Sequence, residues 1–159
     1  MKKVIIRALV IIAFLVGGFF VLNRYIYNEK QVDEGGPETT EVSKIYDDLG
    51  YVYFGNEATG DLDADGIEDV AFIVTQNGGG SGTFYYVGAA FKNSDDSYTR
   101  TNLVLLGDRI APQTTEIRDK TIIVNYADRK EGEPMTARPS VGISKYLQTF
   151  NGILIPLAK

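Results

Sequence analysis

Residues 114–126, Thr114-Thr115-Glu116-Ile117-Arg118-Asp119-Lys120-Thr121-Ile122-Ile123-Val124-Asn125-Tyr126, set two β-branched runs on either side of Arg118-Asp119-Lys120. Each run reads as a strand and the polar triplet between them as a hairpin turn. A connection this short joins antiparallel neighbours, because a parallel crossover needs about a dozen residues or more. The same texture recurs through the C-terminal two thirds of the chain. Tyr51–Phe54, Val70–Gln76, Phe84–Lys92, Thr101–Leu106, Lys145–Phe150 and the short Ile153–Pro156 are rich in β-branched and aromatic residues and are bounded by Gly, Asp, Asn or Pro. Asn93-Ser94-Asp95-Asp96-Ser97 and Asn151-Gly152 add two further hairpin turns. Ser43–Leu49 fits either a short helix or a turn. No long amphipathic helix is present to cover the two faces of a parallel sheet. The expected domain, residues 44–159, is therefore mainly β: one curved antiparallel sheet or a small open barrel.

Upstream the texture changes twice. Residues 28–43, NEKQVDEGGPETTEVS, are polar, acidic and free of aromatics, the composition of a flexible acidic linker. Val4–Leu22 is apolar apart from Arg7. As a helix, such a span rises roughly 28 Å, close to the thickness of a bilayer's hydrocarbon core. Arg7 lies one turn inside, where its side chain reaches the headgroups. Lys2, Lys3 and Arg7 precede the span, and the positive-inside bias leaves the N-terminus in the cytoplasm and the rest outside. Residues 1–27 are thus expected to form a cytoplasmic tip and a single transmembrane helix at the cytoplasmic membrane. Cleavage as a signal peptide is the competing reading and would make the domain secreted. The Gly17–Arg24 segment offers no small-x-small cleavage site.

Composition narrows the chemistry. The 159 residues include 16 Lys+Arg and 21 Asp+Glu but no His, Cys or Trp. Without Lys2, Lys3, Arg7 and Arg24, 12 basic groups face 21 acidic ones, a formal charge of −9. Such a surface repels nucleic acid, whose binding rests on phosphate neutralisation by Lys and Arg. Absence of Cys removes disulfides, thiol nucleophiles, thiolate metal sites and a lipobox anchor. Absence of His removes the usual general base and the commonest zinc ligand.

The chemistry that remains is concentrated in Gly60-Asp61-Leu62-Asp63-Ala64-Asp65-Gly66-Ile67-Glu68-Asp69-Val70-Ala71-Phe72. Acids fall at loop positions 1, 3, 5 and 9, with Gly66 at position 6. Calcium wants six to eight oxygens, and alternate acids on a tight loop turn their carboxylates toward a common centre. Asp61, Asp63 and Asp65, the carbonyl of Ile67, and Asp69 are the expected ligands, Gly66 permits the turn, and Glu68 points away. The competing reading is an acidic, solvated turn. An EF-hand closes with a bidentate Glu at position 12, which here is Phe72. The pattern DxDxDGxxD followed by a hydrophobic strand instead resembles the calcium loops of FG-GAP and VCBS-type repeats, modules of short antiparallel strands found outside the cytoplasm. GDLDADGIEDVAF, GGGSGTFYYVGAAF, LLGDRIAP and YADRKEGEPM together resemble uncharacterised bacterial secreted or membrane-anchored proteins. That resemblance implies export and a calcium loop, and supplies no catalytic residue.

Two further features stand out. Gln76–Tyr86 is glycine-rich but lacks GxxxxGK[ST] and a following helix, so it reads as a hairpin connection rather than a phosphate loop. Asp108-Arg109 and Asp128-Arg129 each put an ion pair at a strand end, with Glu133 nearby. They read as local turn salt bridges or as a ligand or partner patch. The expected function is a membrane-anchored, calcium-binding structural or binding module facing an envelope protein or glycan partner. A hydrolase working through calcium or paired carboxylates is the alternative.

Overall fold

Val70-Ala71-Phe72-Ile73-Val74 shows no polar alternation, and a strand of that kind requires a cover on both faces. The computed structural model describes residues 39–158 and shows how both covers are supplied. The expected anchor and most of the linker lie outside the described residues. Among the described residues no helix is long and apolar enough to cross a membrane.

Nine strands follow a short helix, α1 (Thr39–Val42), and a 3-10 turn at Asp47–Leu49. The strands are β1 (Val52–Gly60), β2 (Asp69–Gln76), β3 (Phe84–Lys92), β4 (Tyr98–Arg100), β5 (Val104–Asp108), β6 (Ala111–Arg118), β7 (Thr121–Asp128), β8 (Val141–Phe150) and β9 (Ile153–Pro156). They form two antiparallel sheets rather than the single curved sheet or barrel expected. One sheet runs β1-β2-β3-β4, with β5 also on β3; the other runs β6-β7-β8-β9. Neither sheet closes on itself. The chain leaves β5 through a bend at Arg109 (φ +49°), no ladder joins β5 to β6, and the second sheet packs on the first through its apolar face instead.

Ala71 and Ile73 of β2, with Val87 and Ala89 of β3, pack against Ile122, Val124, Tyr126, Leu147 and Leu154 of the second sheet. Val70, Phe72 and Val74 face the other way, under Val42, Ile45 and Tyr46. Burial of each such large side chain stabilises the fold by about 1.5–3 kcal/mol. Adjacent tyrosines divide in the same manner, Tyr85 packing between the sheets and Tyr86 beneath the N-terminal segment. Both therefore contribute to a core. Val42 (1% exposed), within the segment read as linker, belongs to this cover. Tyr46 pins it: its hydroxyl donates to the Thr101 carbonyl at 2.8 Å and its ring packs on Phe72. Burial pushes the Tyr46 phenol above its ordinary pKa.

Polar side chains tie the sheets together at their margins. β1 bends at Gly55 (φ +100°), and beyond the bend Asn56 donates to Thr115 of β6 at 3.0 Å. Gly60 lies against Ile117 so closely that a Cβ would sit 2.7 Å from its methyl. On the other side the expected strand 101–106 begins only at Val104, as β5, and residues 101–103 form a break between β4 and β5. Asn102, at the break, receives the Leu154 amide at 2.6 Å and donates to the Leu154 carbonyl at 3.2 Å. One side chain thus satisfies both backbone groups of a residue on β9, a sheet edge that would otherwise stand open.

Replacing Asn102 by Ala removes both of these bonds and is expected to lower stability by about 1–3 kcal/mol, read as an earlier urea midpoint with unchanged m-value. Faster hydrogen exchange at the Leu154 amide should accompany it, and an unchanged midpoint would show that the margin holds without this tie.

Candidate metal centre

The acidic loop runs from the end of β1 into the start of the doubly buried β2, so its far end is held by the core. Within it, Ala64 (φ +76°) and Gly66 (φ +85°) take left-handed conformations that wind the chain tightly. Ala64 carries a Cβ into a region costing about 1–2 kcal/mol for an L-residue. Loop amides converge on the carboxylates. The Asp61 carboxylate accepts the Ala64 amide at 2.6 Å and the Gly66 amide at 3.2 Å. Asp63 accepts the Asp65 amide at 3.1 Å, and Asp65 accepts the Ile67 amide at 2.7 Å. These bonds hold each side chain to a fixed direction.

As a result, ligand oxygens of Asp61, Asp63 and Asp65 lie within 4.8 Å of one another. Asp61 is half-buried and the other two are exposed. Three hard oxygen donors from three carboxylates, with open solvent beside them, fit a divalent cation that completes its shell with carbonyl and water oxygens. The donor set does not suit a soft metal, since the chain has no thiolate or imidazole.

Asp69 takes a different place from its three companions. It is 1% exposed and stands outside their cluster. One of its oxygens accepts the Leu62 amide at 2.8 Å and the other the Lys92 amide at 3.0 Å. Asp69 thereby staples the first turn of the acidic loop to the end of β3. Burial pushes its carboxyl above the ordinary range, the two amides oppose that rise, and the nearby charges of Asp63 and Asp65 add to it. Leu62, 2% exposed, drops into the inter-sheet core beside this staple, and its carbonyl accepts the Thr149 hydroxyl at 3.1 Å. The loop is therefore anchored at three points before any ion enters.

The Asp-Arg residues do meet, at the opposite margin of the fold. Arg109 lies against Asp108, whose carboxylate also accepts the Thr83 amide at 3.0 Å. Arg109 holds the Asp108 carboxyl below its usual range. Arg129, with only 9% of its side chain exposed, donates to the carbonyls of Ala137, Asp108 and Arg109 at 2.8, 3.2 and 3.1 Å. Its donors are spent on backbone, knitting the turn after β5 to the long β7–β8 connection. Asp128 accepts the Arg129 amide at 2.7 Å and Glu133 the Lys130 amide at 3.0 Å. These contacts make the cluster a local clamp.

A cleft of 510 Å³ opens beside the acidic loop, lined by Asp63 but not by Arg109 or Arg129. Its other walls come from hairpin turns far apart in the sequence, which is why no single motif announces it. No family model, curated protein or solved structure matches the chain.

Asp69→Ala leaves the Leu62 and Lys92 amides without their acceptor. A loss of about 1–3 kcal/mol per amide is expected in urea unfolding at neutral pH, and Asp69→Asn, which keeps one carbonyl oxygen, should lose less. Equal midpoints for all three proteins would contradict the staple.

Proposed function

We propose that the chain is a membrane-anchored, extracytoplasmic module that binds calcium through Asp61, Asp63 and Asp65, with the Ile67 carbonyl as a further oxygen ligand. The observation that carries this reading is the convergence of three carboxylates within 4.8 Å on a loop whose amides already orient them. Three negative charges held together repel one another, and a divalent cation offsets that repulsion. Asp69 acts in this scheme from beneath, holding Leu62 and so the angle at which the loop leaves β1. The ion's part is structural: it orders the connection that feeds β2, the strand on which both cores depend. The loop-then-strand arrangement supports the FG-GAP-like reading, and the length and flanking charges of residues 4–22 support the anchor.

Thermal unfolding with millimolar calcium against excess EGTA tests the metal. At tenfold excess over its dissociation constant the ion adds about 1.4 kcal/mol, a rise in midpoint of roughly 4–8 °C. Magnesium should do less, because it demands smaller octahedral geometry. The combined Asp61→Asn, Asp63→Asn, Asp65→Asn variant should show no calcium shift. Identical midpoints for the parent chain in calcium and EGTA, with no heat on titration, would end the proposal.

Topology has its own test, since the chain lacks cysteine. In intact cells a membrane-impermeant maleimide should label Ser81→Cys and leave Lys3→Cys untouched until the membrane is permeabilised. The reverse pattern would place the domain on the cytoplasmic side.

A further inference from the structure

The cleft beside the acidic loop has a composition of its own. Asp63 lines one wall, Asn93 and Thr99 come from the β3–β4 hairpin, Lys120 from the β6–β7 turn, and Phe150 and Asn151 from the β8–β9 turn. Its 510 Å³ falls within the roughly 300–1,000 Å³ of small-ligand clefts. Asp63 and Lys120 are the charged residues of its lining, one of each sign. A ligand of either net charge would meet a like charge, whereas a neutral ligand rich in hydroxyls would find donors and acceptors of both kinds. The carboxylate accepts, the ammonium donates and the Asn151 amide offers both; Asn93, whose NH2 is held by Ser97 and Thr99 at 2.9 and 3.1 Å, offers its carbonyl oxygen, and the Thr99 hydroxyl keeps its proton to donate. The balance also survives metal binding: three carboxylates holding a divalent cation keep one negative charge, matched by Lys120.

Phe150 adds an apolar plane. It is 66% exposed, an unusual position for a large aromatic side chain at a turn, and it forms part of the cleft wall. A pyranose presents this same combination, hydroxyls around its edge and an apolar C–H face that lies flat on an aromatic ring. The β6–β7 turn supports a functional reading as well. Asp119 (φ +49°) and Lys120 (φ +59°) both take the left-handed conformation that hairpins of this length usually assign to Asn-Gly. Lysine gains nothing there from local hydrogen bonding, and such strain is retained where a side chain has a task.

We propose that this cleft binds a neutral saccharide, stacked on Phe150 and hydrogen-bonded by Asn93, Asn151, Lys120 and Asp63. The site goes beyond metal binding and does not rest on it. The test presents the full-length chain in lipid nanodiscs, free of sugar-based detergent, to a printed array of neutral hexose, N-acetylhexosamine and uronate oligosaccharides. The strongest binder is then titrated by calorimetry in calcium and in EGTA. Retention of a neutral oligosaccharide is expected, weakened about tenfold by Phe150→Ala, preserved by Phe150→Tyr, and weakened by Lys120→Ala. Leu105→Ala, exposed and outside the cleft, should bind as the parent does. Failure to retain any neutral oligosaccharide, preference for uronates, or undiminished binding by Phe150→Ala would each overturn the proposal. Saccharide binding that persists without a calcium shift in thermal unfolding would sink the metal reading alone; a calcium shift without saccharide binding would sink this one alone.

Discussion

The strand at the centre of the first sheet is apolar on both faces, and the rest of the domain is arranged to keep both faces dry. Exposing Phe72 on one side or Ile73 on the other forfeits about 1.5–3 kcal/mol each, a large fraction of the roughly 5–15 kcal/mol net stability of a domain. The second sheet is one cover. The other is the segment from Thr39 to Tyr51, too short to be a layer by itself, which succeeds because Tyr46 brings both a large ring and a hydroxyl with a buried partner.

The acidic loop draws its order from the same constraint. β2 is packed on both faces, and Asp69 is its first residue. A carboxylate at that position would cost more than it returns if it were left bare in the interior. Two backbone amides satisfy it, and in doing so they fix where the loop begins and where β3 ends. Asp61, Asp63 and Asp65 then need only short-range turns to converge. The apolar core, the staple and the carboxylate cluster form one mechanical chain, each link positioned by the one before it.

Inter-sheet polar ties make up a second theme. Asn56 of β1 reaches β6, Asn102 of the β4–β5 connection reaches β9, Thr149 of β8 reaches the acidic loop, and Lys145, pointing inward from β8, donates to the Leu105 carbonyl at 2.7 Å. Burial lowers the Lys145 ammonium from its ordinary value. These bonds stand where the two sheets lack a shared ladder. They substitute side-chain hydrogen bonds for the strand pairing that would close a barrel.

Local pattern alone determines much of this. The β class, the antiparallel neighbours, the turns at Asn93–Ser97, Asp119-Lys120 and Asn151-Gly152, and the carboxylate register of Asp61, Asp63 and Asp65 all follow from spacing over a few residues, since turn and strand propensities act at that range. Tertiary structure decided what spacing cannot express. The break at Asn102 depends on Leu154, 52 residues away; the inward turn of Asp69 depends on Lys92; the use of Arg129 on three carbonyls depends on a loop not yet formed when its neighbours are read. The division into two sheets has the same origin, because a strand's alternation shows which side is buried but not which partner buries it. So does the cleft, assembled from four connections that share an end of the sandwich and no stretch of sequence.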